Sequence, residues 1–439
     1  MKTKKIHPDK VNIITLGCSK NMVDSEVLSG QLQANDLNVV HENTAADHNI
    51  VVVNTCGFID KAKEESVNTI LEQIELKQQG RLDKVYVTGC LSARYRDELV
   101  KEIPEVDDWF NTLELPLLLK RLNADYKADL VGERLLSTPA HYAYLKISEG
   151  CNRTCAFCAI PLMRGGHVSK PVEEVVAEAE KLVSMGVKEI MLIAQELTYY
   201  GLDIYKKRSL DRLLHALAEV PGLTWIRLHY AYPSRFPLEV LDVMKAHDNI
   251  CKYLDMPLQH AADPVLKAMR RQITRREMET LIGNIREKIP DICLRTTLIA
   301  GFPGETREDV EVLKQFLVDM RFDRVGVFTY SHEEDTAAYA LRDDVPAAEK
   351  EKRAQEIMEV QQEISYEKNR EKIGRTFPVL IDKMEAGRYI GRTSHDSPEV
   401  DNEVIISGER PLPVGEFVNV KITGAYDYDL EGEVITADL

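Results

Sequence analysis

The sequence contains no apolar run that approaches the ~18 residues of a membrane span. Its first ten residues lack the apolar core that a secretory signal peptide needs. We therefore expect no membrane association and a cytoplasmic protein. Internal repeats and low-complexity segments are also missing, so a repeat architecture is not expected.

Positive charge is in deficit. The 439 residues include 56 Lys and Arg against 72 Asp and Glu, a formal net charge of −16. Broad, non-specific nucleic-acid binding needs a cationic surface, so this balance argues against it without excluding RNA at a local basic patch. The length suits two or three domains. Eight cysteines in this setting indicate metal or redox chemistry rather than disulfides.

Three of these cysteines, Cys151, Cys155 and Cys158, form a C-x3-C-x2-C pattern after the apolar run Tyr144–Ile147. Thiolates are the ligands that iron–sulfur clusters and zinc select. A four-iron cluster usually takes four cysteines, so three in one loop leave one iron open to a small molecule. The alternative is structural zinc with a fourth ligand such as His167. Zinc sites usually pair C-x2-C motifs, and no second such pair exists here.

This loop resembles the signature of the radical S-adenosylmethionine (radical SAM) superfamily, including the aromatic Phe157 before the third cysteine. The resemblance implies that the three cysteines hold a [4Fe–4S] cluster whose open iron binds SAM. The reduced cluster would then cleave SAM to a 5′-deoxyadenosyl radical. The protein would hold the cluster, orient SAM and exclude water.

Three more cysteines, Cys18, Cys56 and Cys90, follow predicted strands near the N-terminus. Those strands are Val11–Leu16, Ile50–Thr55 and Lys84–Thr88. A helix follows each strand, which predicts a small parallel sheet. Ligands bind beyond the carboxyl ends of such strands, where all three thiols can meet. A single cysteine there is usually an inert small hydrophobe, but three in register favour a second three-thiolate cluster.

The two cysteine trios and the segment Leu16–Glu26 together resemble the methylthiotransferase family, over essentially the whole chain. In that family the N-terminal domain carries an auxiliary [4Fe–4S] cluster. The resemblance therefore implies two [4Fe–4S] clusters and SAM as cofactors, with the auxiliary cluster held by Cys18, Cys56 and Cys90.

The middle of the chain alternates strands with helices. The predicted strands are Tyr144–Ser148, Glu189–Ala194, Thr224–Tyr230, Tyr253–Pro257, Cys293–Ala300 and Arg324–Tyr330. Leu135–His141 reads as a linker before them. Six βα units fit the partial, open barrel of the radical SAM core, in which loops after the strands build the site.

Two loops in this region are candidates for SAM binding. Gln195 and Glu196 lie where many radical SAM proteins have a Gly-Gly-Glu stretch, although two of the three residues differ here. Gly301 and Gly304 belong to a segment that resembles the family's glycine-containing SAM loop. The alternative for that segment is a plain turn before a helix capped by Thr306.

Four further residues in this region have weaker assignments. Gln259 and His260 end the fourth strand and could face the cavity, although a lone histidine is more often structural. Cys251 and Cys293 are most simply core residues. The radical chemistry that the resemblance implies acts on an unactivated C–H bond, which has no acidic proton to remove. We therefore expect no side chain to act as a catalytic acid or base.

A highly charged helix is predicted from Pro346 to about Ile373, and short alternating strands begin at Arg375. They predict a five-stranded antiparallel β-barrel, which resembles the TRAM domain that ends methylthiotransferases. The fold class is thus α/β, with the barrel appended. We expect an N-terminal domain with the auxiliary cluster over residues 1–134, a radical SAM core over 135–370 and the TRAM-like barrel over 371–439.

Within the methylthiotransferase family, two types of enzyme are the main candidates. One type modifies isopentenyl-adenosine in tRNA, and the other modifies the β-carbon of an aspartate in small-subunit ribosomal protein twelve. The segments Leu16–Asn21, Cys158–His167 and Asp396–Asp401 resemble the second type. Residues 375–439 carry 6 Lys and Arg against 13 Asp and Glu, a net charge of −7. An acidic face suits a basic ribosomal protein and does not suit phosphates.

The resemblance implies that one SAM donates a methyl group to sulfur at the auxiliary cluster. A second SAM yields the radical that removes hydrogen from the aspartate β-carbon, which then takes up the methylthio group. The expected partners are ribosomal protein twelve and an unidentified electron donor, with tRNA as the weaker alternative. A further alternative is a non-catalytic ribosome-binding factor with structural clusters. The basic cluster Arg270, Arg271, Arg275 and Arg276 is the one obvious feature that would favour tRNA.

Overall fold

The computed structural model describes residues 9–43, 48–127, 130, 133–407 and 411–435. These residues form two parallel sheets flanked by helices, a small two-stranded sheet and a closed barrel. Within these described ranges, no helix is long and apolar enough to cross a membrane.

The N-terminal sheet is built from five parallel strands. Its elements are β1 (Lys10–Thr15), α1 (Ser19–Gln33), β2 (Asn38–His41), β3 (Ile50–Thr55), α2 (Asp60–Gln78), β4 (Lys84–Gly89), α3 (Cys90–Glu102), β5 (Asp108–Trp109) and α4 (Leu115–Arg121). The strand order is β2-β1-β3-β4-β5. The sequence predicts only the three inner strands. The edge strands β2 and β5 are short and only partly buried, so little apolar patterning marks them.

The central domain is built on a six-stranded parallel sheet. Its elements are β6 (Tyr142–Lys146), β7 (Ser148–Glu149), α5 (Ile160–Arg164), β8 (Val168–Ser169), α6 (Val172–Ser184), β9 (Glu189–Ile193), α7 (Leu210–Ala218), β10 (Trp225–Leu228), α8 (Glu239–Ala246), β11 (Ile250–Asp255), α9 (Asp263–Ala268), α10 (Arg275–Lys288), β12 (Cys293–Ala300), α11 (Arg307–Met320), β13 (Arg324–Thr329) and α12 (Ala347–Arg370). The strand order is β6-β9-β10-β11-β12-β13, which confirms all six predicted strands.

The two faces of this sheet differ in chemistry. One face packs against helices through a large apolar core that includes Leu145, Leu192 and Leu298. The opposite face, called the inner face here, carries polar and aromatic residues such as Arg227 and Tyr253. Alternation along each strand separates the two sets. The polar inner face is therefore the surface on which chemistry can occur.

The C-terminal domain is a closed five-stranded barrel of β14 (Thr376–Glu385), β15 (Arg388–Thr393), β16 (Val404–Ile406), β17 (Phe417–Ala425) and β18 (Leu430–Val434). Four strand pairs are antiparallel, as the sequence predicts. The expectation of an entirely antiparallel barrel is wrong for one pair, because β16 runs parallel to β18. Five strands cannot alternate in direction all the way around a closed barrel, so one neighbouring pair must be parallel.

That connection, residues 394–401 and called the docking loop here, lies against the inner face of the central sheet. Asp396 forms a buried ion pair with Arg324, with 2.5 Å between Oδ1 and Nη2. Asp401 accepts hydrogen bonds from the Tyr253 hydroxyl at 2.7 Å and from Arg295 Nε at 3.2 Å. The acidic segment that resembles the ribosomal-protein type is thus engaged within the molecule.

Candidate active site

The three N-terminal cysteines converge at the carboxyl ends of β1, β3 and β4. Cys18 precedes α1, Cys56 follows β3, and Cys90 begins α3. Gly17 packs so closely that a Cβ on it would lie 2.7 Å from Cys56 Cβ, and its φ of +93° favours glycine. A Cβ on Gly17, the residue next to Cys18, would also lie 2.9 Å from the Cys56 sulfur. Three parallel strands therefore bring together thiols that are far apart in sequence.

Asn21 fixes this cysteine site from the first turn of α1. Its side-chain amide donates to the backbone carbonyls of Leu16 at 2.7 Å and Thr55 at 3.0 Å. Its carbonyl oxygen lies 3.8 Å from the Cys90 sulfur. The sequence does not single out Asn21, although its position three residues after Cys18 is the available signal.

The second trio lies in the loop between β7 and α5. The Arg153 amide donates to the Cys151 sulfur at 3.4 Å, and Arg271 donates to the Cys155 sulfur at 3.3 Å. The Tyr232 hydroxyl lies 3.8 Å from the same Cys155 sulfur. Donors that point at sulfur stabilise thiolates in cluster sites.

The chemistry of both trios fits iron–sulfur clusters. All six cysteines are free thiols. Burial raises the pKa of Cys90 and of Cys158 to about 12 and that of Cys151 to about 11. These thiols therefore keep their protons until a metal replaces them.

A single-ion zinc site does not fit. In the described part of the chain, no three His, Cys, Asp or Glu side chains are gathered closely enough around one ion. A four-iron cluster instead spreads its thiolates over separate irons. His167, the proposed fourth zinc ligand, lies 3.1 Å from the Ser169 hydroxyl and packs against the Tyr199 ring.

The two cysteine loops face each other. Cys90 packs against Ala159 and Ile160, which directly follow Cys158, and against Met163. The Thr112 hydroxyl of the N-terminal domain donates to the Met163 carbonyl at 2.8 Å. The end of the N-terminal sheet that carries Cys90 therefore lies against the segment that follows Cys158.

Arg164 connects the two domains at this contact. It donates to Asn21 Oδ1 at 2.5 Å, to Asp24 Oδ2 at 3.0 Å and to Glu149 Oε1 at 3.0 Å. Burial opposes ionisation of Glu149, but Lys146 and Arg164 lower its pKa to about 2. The guanidinium therefore has two carboxylate partners and also reaches the residue that orders Cys90.

The predicted SAM residues have different surroundings. Gln195 donates to Glu149 Oε1 at 2.7 Å, and its own carbonyl oxygen is buried without a partner among the described residues. Glu196 is occupied, because it forms a buried ion pair with Arg153 at 2.8 Å and accepts from the Thr198 amide at 2.6 Å. Gln195 therefore has an acceptor to offer a ligand, whereas Glu196 has its acceptors filled.

The predicted glycine loop has a clear structural role. A Cβ on Gly301 would lie 2.2 Å from Lys350 Cγ of α12, and the Gly301 amide donates to Glu305 at 2.9 Å. Gly304 has φ +80° and open space around its Cα. Thr306 caps α11 with a reciprocal capping box, as the turn alternative expects. SAM contact by Gly301 and Gly304 stays a prediction.

The remaining polar candidates also differ. Gln259 has φ +76°, and its side-chain carbonyl is buried without a partner in the described ranges. His260 is fully buried, accepts from the Ala262 amide at 2.9 Å and lies 3.3 Å from Glu305. Cys251 and Cys293 are buried in a cluster with Trp225. The histidine and these two cysteines are therefore structural.

Comparison with known proteins gives the class first. Family models match the Uncharacterized protein family UPF0004 over residues 10–111, the Radical SAM superfamily over 145–317 and the TRAM domain over 373–435. The radical S-adenosylmethionine methyltransferase TsrM from Kitasatospora setae, solved with cobalamin and a [4Fe-4S] cluster, matches with a TM-score of 0.56 at 16% identity. The match covers 74% of this chain and 75% of that one. The chain thus has the fold and the cysteine loop of a radical SAM protein.

Curated relatives then give the family. Proteins named ribosomal protein uS12 methylthiotransferase RimO are 59% identical in Christiangramia forsetii, over 99% of this chain and 96% of the relative, and 59% identical in Flavobacterium johnsoniae, over 99% and 100%. The relative of that name in Phocaeicola vulgatus is 52% identical, over 97% and 99%. The chain belongs to this RimO family of radical SAM methylthiotransferases.

Proposed function

We propose that this protein attaches a methylthio group to the β-carbon of an aspartate in ribosomal protein uS12. Its full-length relatives are named for that substrate protein. The observation that carries the proposal is the packing of Cys90 against the residues that follow Cys158. Sulfur held at one trio and a radical formed at the other would then act on the same substrate carbon.

The cofactors of this enzyme class are two [4Fe–4S] clusters and SAM. When bound, they supply the electron, the radical that removes hydrogen from carbon, and the methylthio group. We assign Cys151, Cys155 and Cys158 to the cluster that binds SAM. We assign the auxiliary cluster to the N-terminal trio, which is Cys18, Cys56 and Cys90.

The protein's own residues would position these groups. Arg271 donates to Cys155 and also stacks 4.2 Å from the Tyr232 ring centroid, so a positive charge is fixed beside the cluster that receives the electron. We propose that the unpartnered Gln195 carbonyl accepts from the SAM amino group. Glu196, with its acceptors occupied by Arg153 and Thr198, would position that loop.

The tRNA alternative loses its main support. Arg275 is paired with Glu279 at 2.7 Å and Asp319 at 3.2 Å. Arg271 is buried and directed at Cys155. Half of the basic cluster is therefore engaged within the protein and is unavailable to phosphates.

We place the domain boundaries at 134/135 and 370/371. The second boundary is supported by α12, which ends at Arg370 and packs on the central domain through the buried Ile357 and Ile364. A ribosomal substrate implies action in the cytoplasm, and the radical chemistry requires an external electron donor.

The test uses anaerobically reconstituted protein with reductant, SAM and purified uS12. We expect 5′-deoxyadenosine release and a methylthio group on one uS12 aspartate, read by tandem mass spectrometry, with tRNA unmodified. The triple variant Cys151→Ala, Cys155→Ala, Cys158→Ala should keep about half the iron and release no 5′-deoxyadenosine, because each trio holds its own cluster. Cys251→Ala is the matched control and should retain both the full iron content and 5′-deoxyadenosine release.

Three results would contradict the proposal. An unchanged iron content in the triple variant would contradict the assignment of its three cysteines as cluster ligands. Methylthio-adenosine in tRNA without modified uS12 would show that the substrate is tRNA rather than uS12. A wild type that binds ribosomes but releases no 5′-deoxyadenosine would be a binding factor.

A further inference from the structure

The cations around the facing cysteine loops almost all have anionic or sulfur partners. Lys146 and Arg164 share Asp24 and Glu149. Elsewhere in this region the pairs are Arg153 with Glu196, Arg295 with Asp255 and Asp401, and Arg271 with the Cys155 sulfur. A buried charge normally requires such a partner, because desolvation is costly.

Lys20 is the exception. It lies in the first turn of α1, two residues after Cys18, and its side chain is buried, with 7% of the residue exposed. Asp24, one turn further along α1, pairs with Lys146 and Arg164 instead, and no ion pair of Lys20 is found among the described residues. The ammonium instead sits 3.2 Å from the centroid of the Tyr230 ring. An aromatic face attracts a cation but leaves its hydrogen-bond donors unfilled.

Tyr230 is held in place for this contact. It follows β10 with φ +65°, a left-handed conformation that is unfavourable for a bulky residue. Its amide donates to Asp255 Oδ2 at 3.3 Å, and its ring packs in a cluster with Tyr144 and Met191 of the inner face. Strained backbone of this kind persists where the surroundings impose it, and it is frequent at functional sites.

We propose that Lys20 binds the side-chain carboxylate of the substrate aspartate. This inference rests on the proposed function. The carbon to be modified is bonded directly to that carboxylate, so an ion pair with Lys20 would fix the β-carbon near Cys18, a proposed ligand of the auxiliary cluster. A carboxylate also supplies the counter-charge that Lys20 lacks, whereas an amide or a nucleobase would not.

The alternative cation on the inner face is Arg295. It is already paired with Asp255 at 3.1 Å and with Asp401 at 3.2 Å, and both carboxylates are almost fully buried. A substrate carboxylate would have to displace one of them and leave it buried without a partner. Lys20 has no such partner to displace.

The experiment measures peptide binding to reconstituted protein by fluorescence anisotropy. The probes are a uS12 peptide that spans the modified aspartate and the same peptide with asparagine there. Wild type should bind the aspartate peptide on the order of tenfold more tightly, as expected for a hydrogen bond between charged groups. Lys20→Met should lose this preference, and Lys20→Arg should retain most of it. The control Lys245→Met, on the exposed side of α8, should bind like wild type.

A preference that persists in Lys20→Met would overturn the proposal. Lys20→Met should also keep its iron and should still release 5′-deoxyadenosine when no peptide is present. Loss of either property would assign Lys20 to the cofactors and would also overturn the proposal. If the proposed function itself is wrong, the result is different, because the wild-type protein would then leave uS12 unmodified.

Discussion

At the scale of single residues, the site depends on positions where no other side chain fits. Gly17 is the clearest case, since it combines a positive φ with contact to Cys56. A side chain there would push the Cys56 sulfur away from the other two thiols.

Gly17→Ala should therefore lose the iron of the N-terminal trio and keep that of the Cys151 trio. The reason is the clash of its Cβ with Cys56 Cβ at 2.7 Å and Sγ at 2.9 Å. Iron content and the spectrum of the remaining cluster measure the result. Gly283→Ala is the control, because nothing lies within 4 Å of a Cβ on that helical glycine. It should keep all iron and gain up to about 1 kcal/mol of stability. Full iron in Gly17→Ala would contradict the expected geometry.

The six candidate cysteine ligands could be proposed from sequence because cysteine spacing and strand ends are local patterns. Asn21 and Arg164 could not, since their contact joins residues 143 positions apart. Lys20 was equally hidden, because its significance depends on carboxylates that are not near it.

At the scale of elements, the docking loop shows what sequence patterns leave open. Alternation and turn residues locate β14, β16, β17 and β18 in the sequence but do not locate β15. The use of Asp396 and Asp401 against the central sheet is not, because an acidic loop is ordinarily solvated. Asp382, Asp396, Glu399, Asp401 and Glu416 all contact the central domain. The number of acidic residues in this barrel therefore overestimates the negative charge that is exposed to a partner.

Asp396→Asn should destabilise the protein by about 3 kcal/mol at pH 7, because it leaves Arg324 buried without an anionic partner. The double variant Asp396→Leu with Arg324→Met should cost less, since no charge remains buried. Urea unfolding of the three proteins gives the comparison. Equal losses in the single and double variants would contradict this reasoning.

The difference in the free energy of unfolding between wild type and Asp396→Asn should also depend on pH. Burial opposes ionisation of Asp396, but Arg324 and Lys372 hold its pKa well below the usual 3.8. A depressed carboxyl pKa stabilises the fold above the unfolded-state pKa and loses this effect as pH falls. The free-energy difference between wild type and Asp396→Asn should be constant from about pH 5 to pH 8 and shrink below about pH 4.

At the scale of the whole molecule, the N-terminal domain is held to the central domain at a second point. Glu333, in the loop after β13, pairs with Arg94 at 2.6 Å and Lys63 at 2.9 Å. Arg94 and Glu333 side chains are only 2% and 3% exposed. Together with Arg164, this contact fixes how the two cysteine loops face each other.

Glu333→Gln should uncouple the two halves of the reaction. Methylthiolated uS12 should fall several-fold per 5′-deoxyadenosine released, because the radical forms while the sulfur is misplaced. The ratio of the two products, by mass spectrometry and chromatography, is the measurement. Glu363→Gln on the exposed side of α12 is the matched control. An unchanged ratio in Glu333→Gln would show that this ion pair does not set the geometry.

Charge steering is testable on the exposed part of the C-terminal barrel. Asp427→Lys with Glu433→Lys should slow uS12 association several-fold at low salt and leave 5′-deoxyadenosine release unchanged. Asp429 is left intact because it accepts from the Glu403 amide at 2.9 Å. The control Glu287→Lys with Asp291→Lys makes the same charge change on α10 and the turn after it. Equal slowing by both pairs would mean that total charge matters rather than the barrel.

The Arg164 contact has a consequence for building hybrids from this enzyme. The guanidinium belongs to the central domain, whereas Asn21 and Asp24 belong to the N-terminal one. A chimera that replaces either domain alone would place a foreign surface against a buried charge. Transplanting one domain therefore requires carrying over its half of this contact.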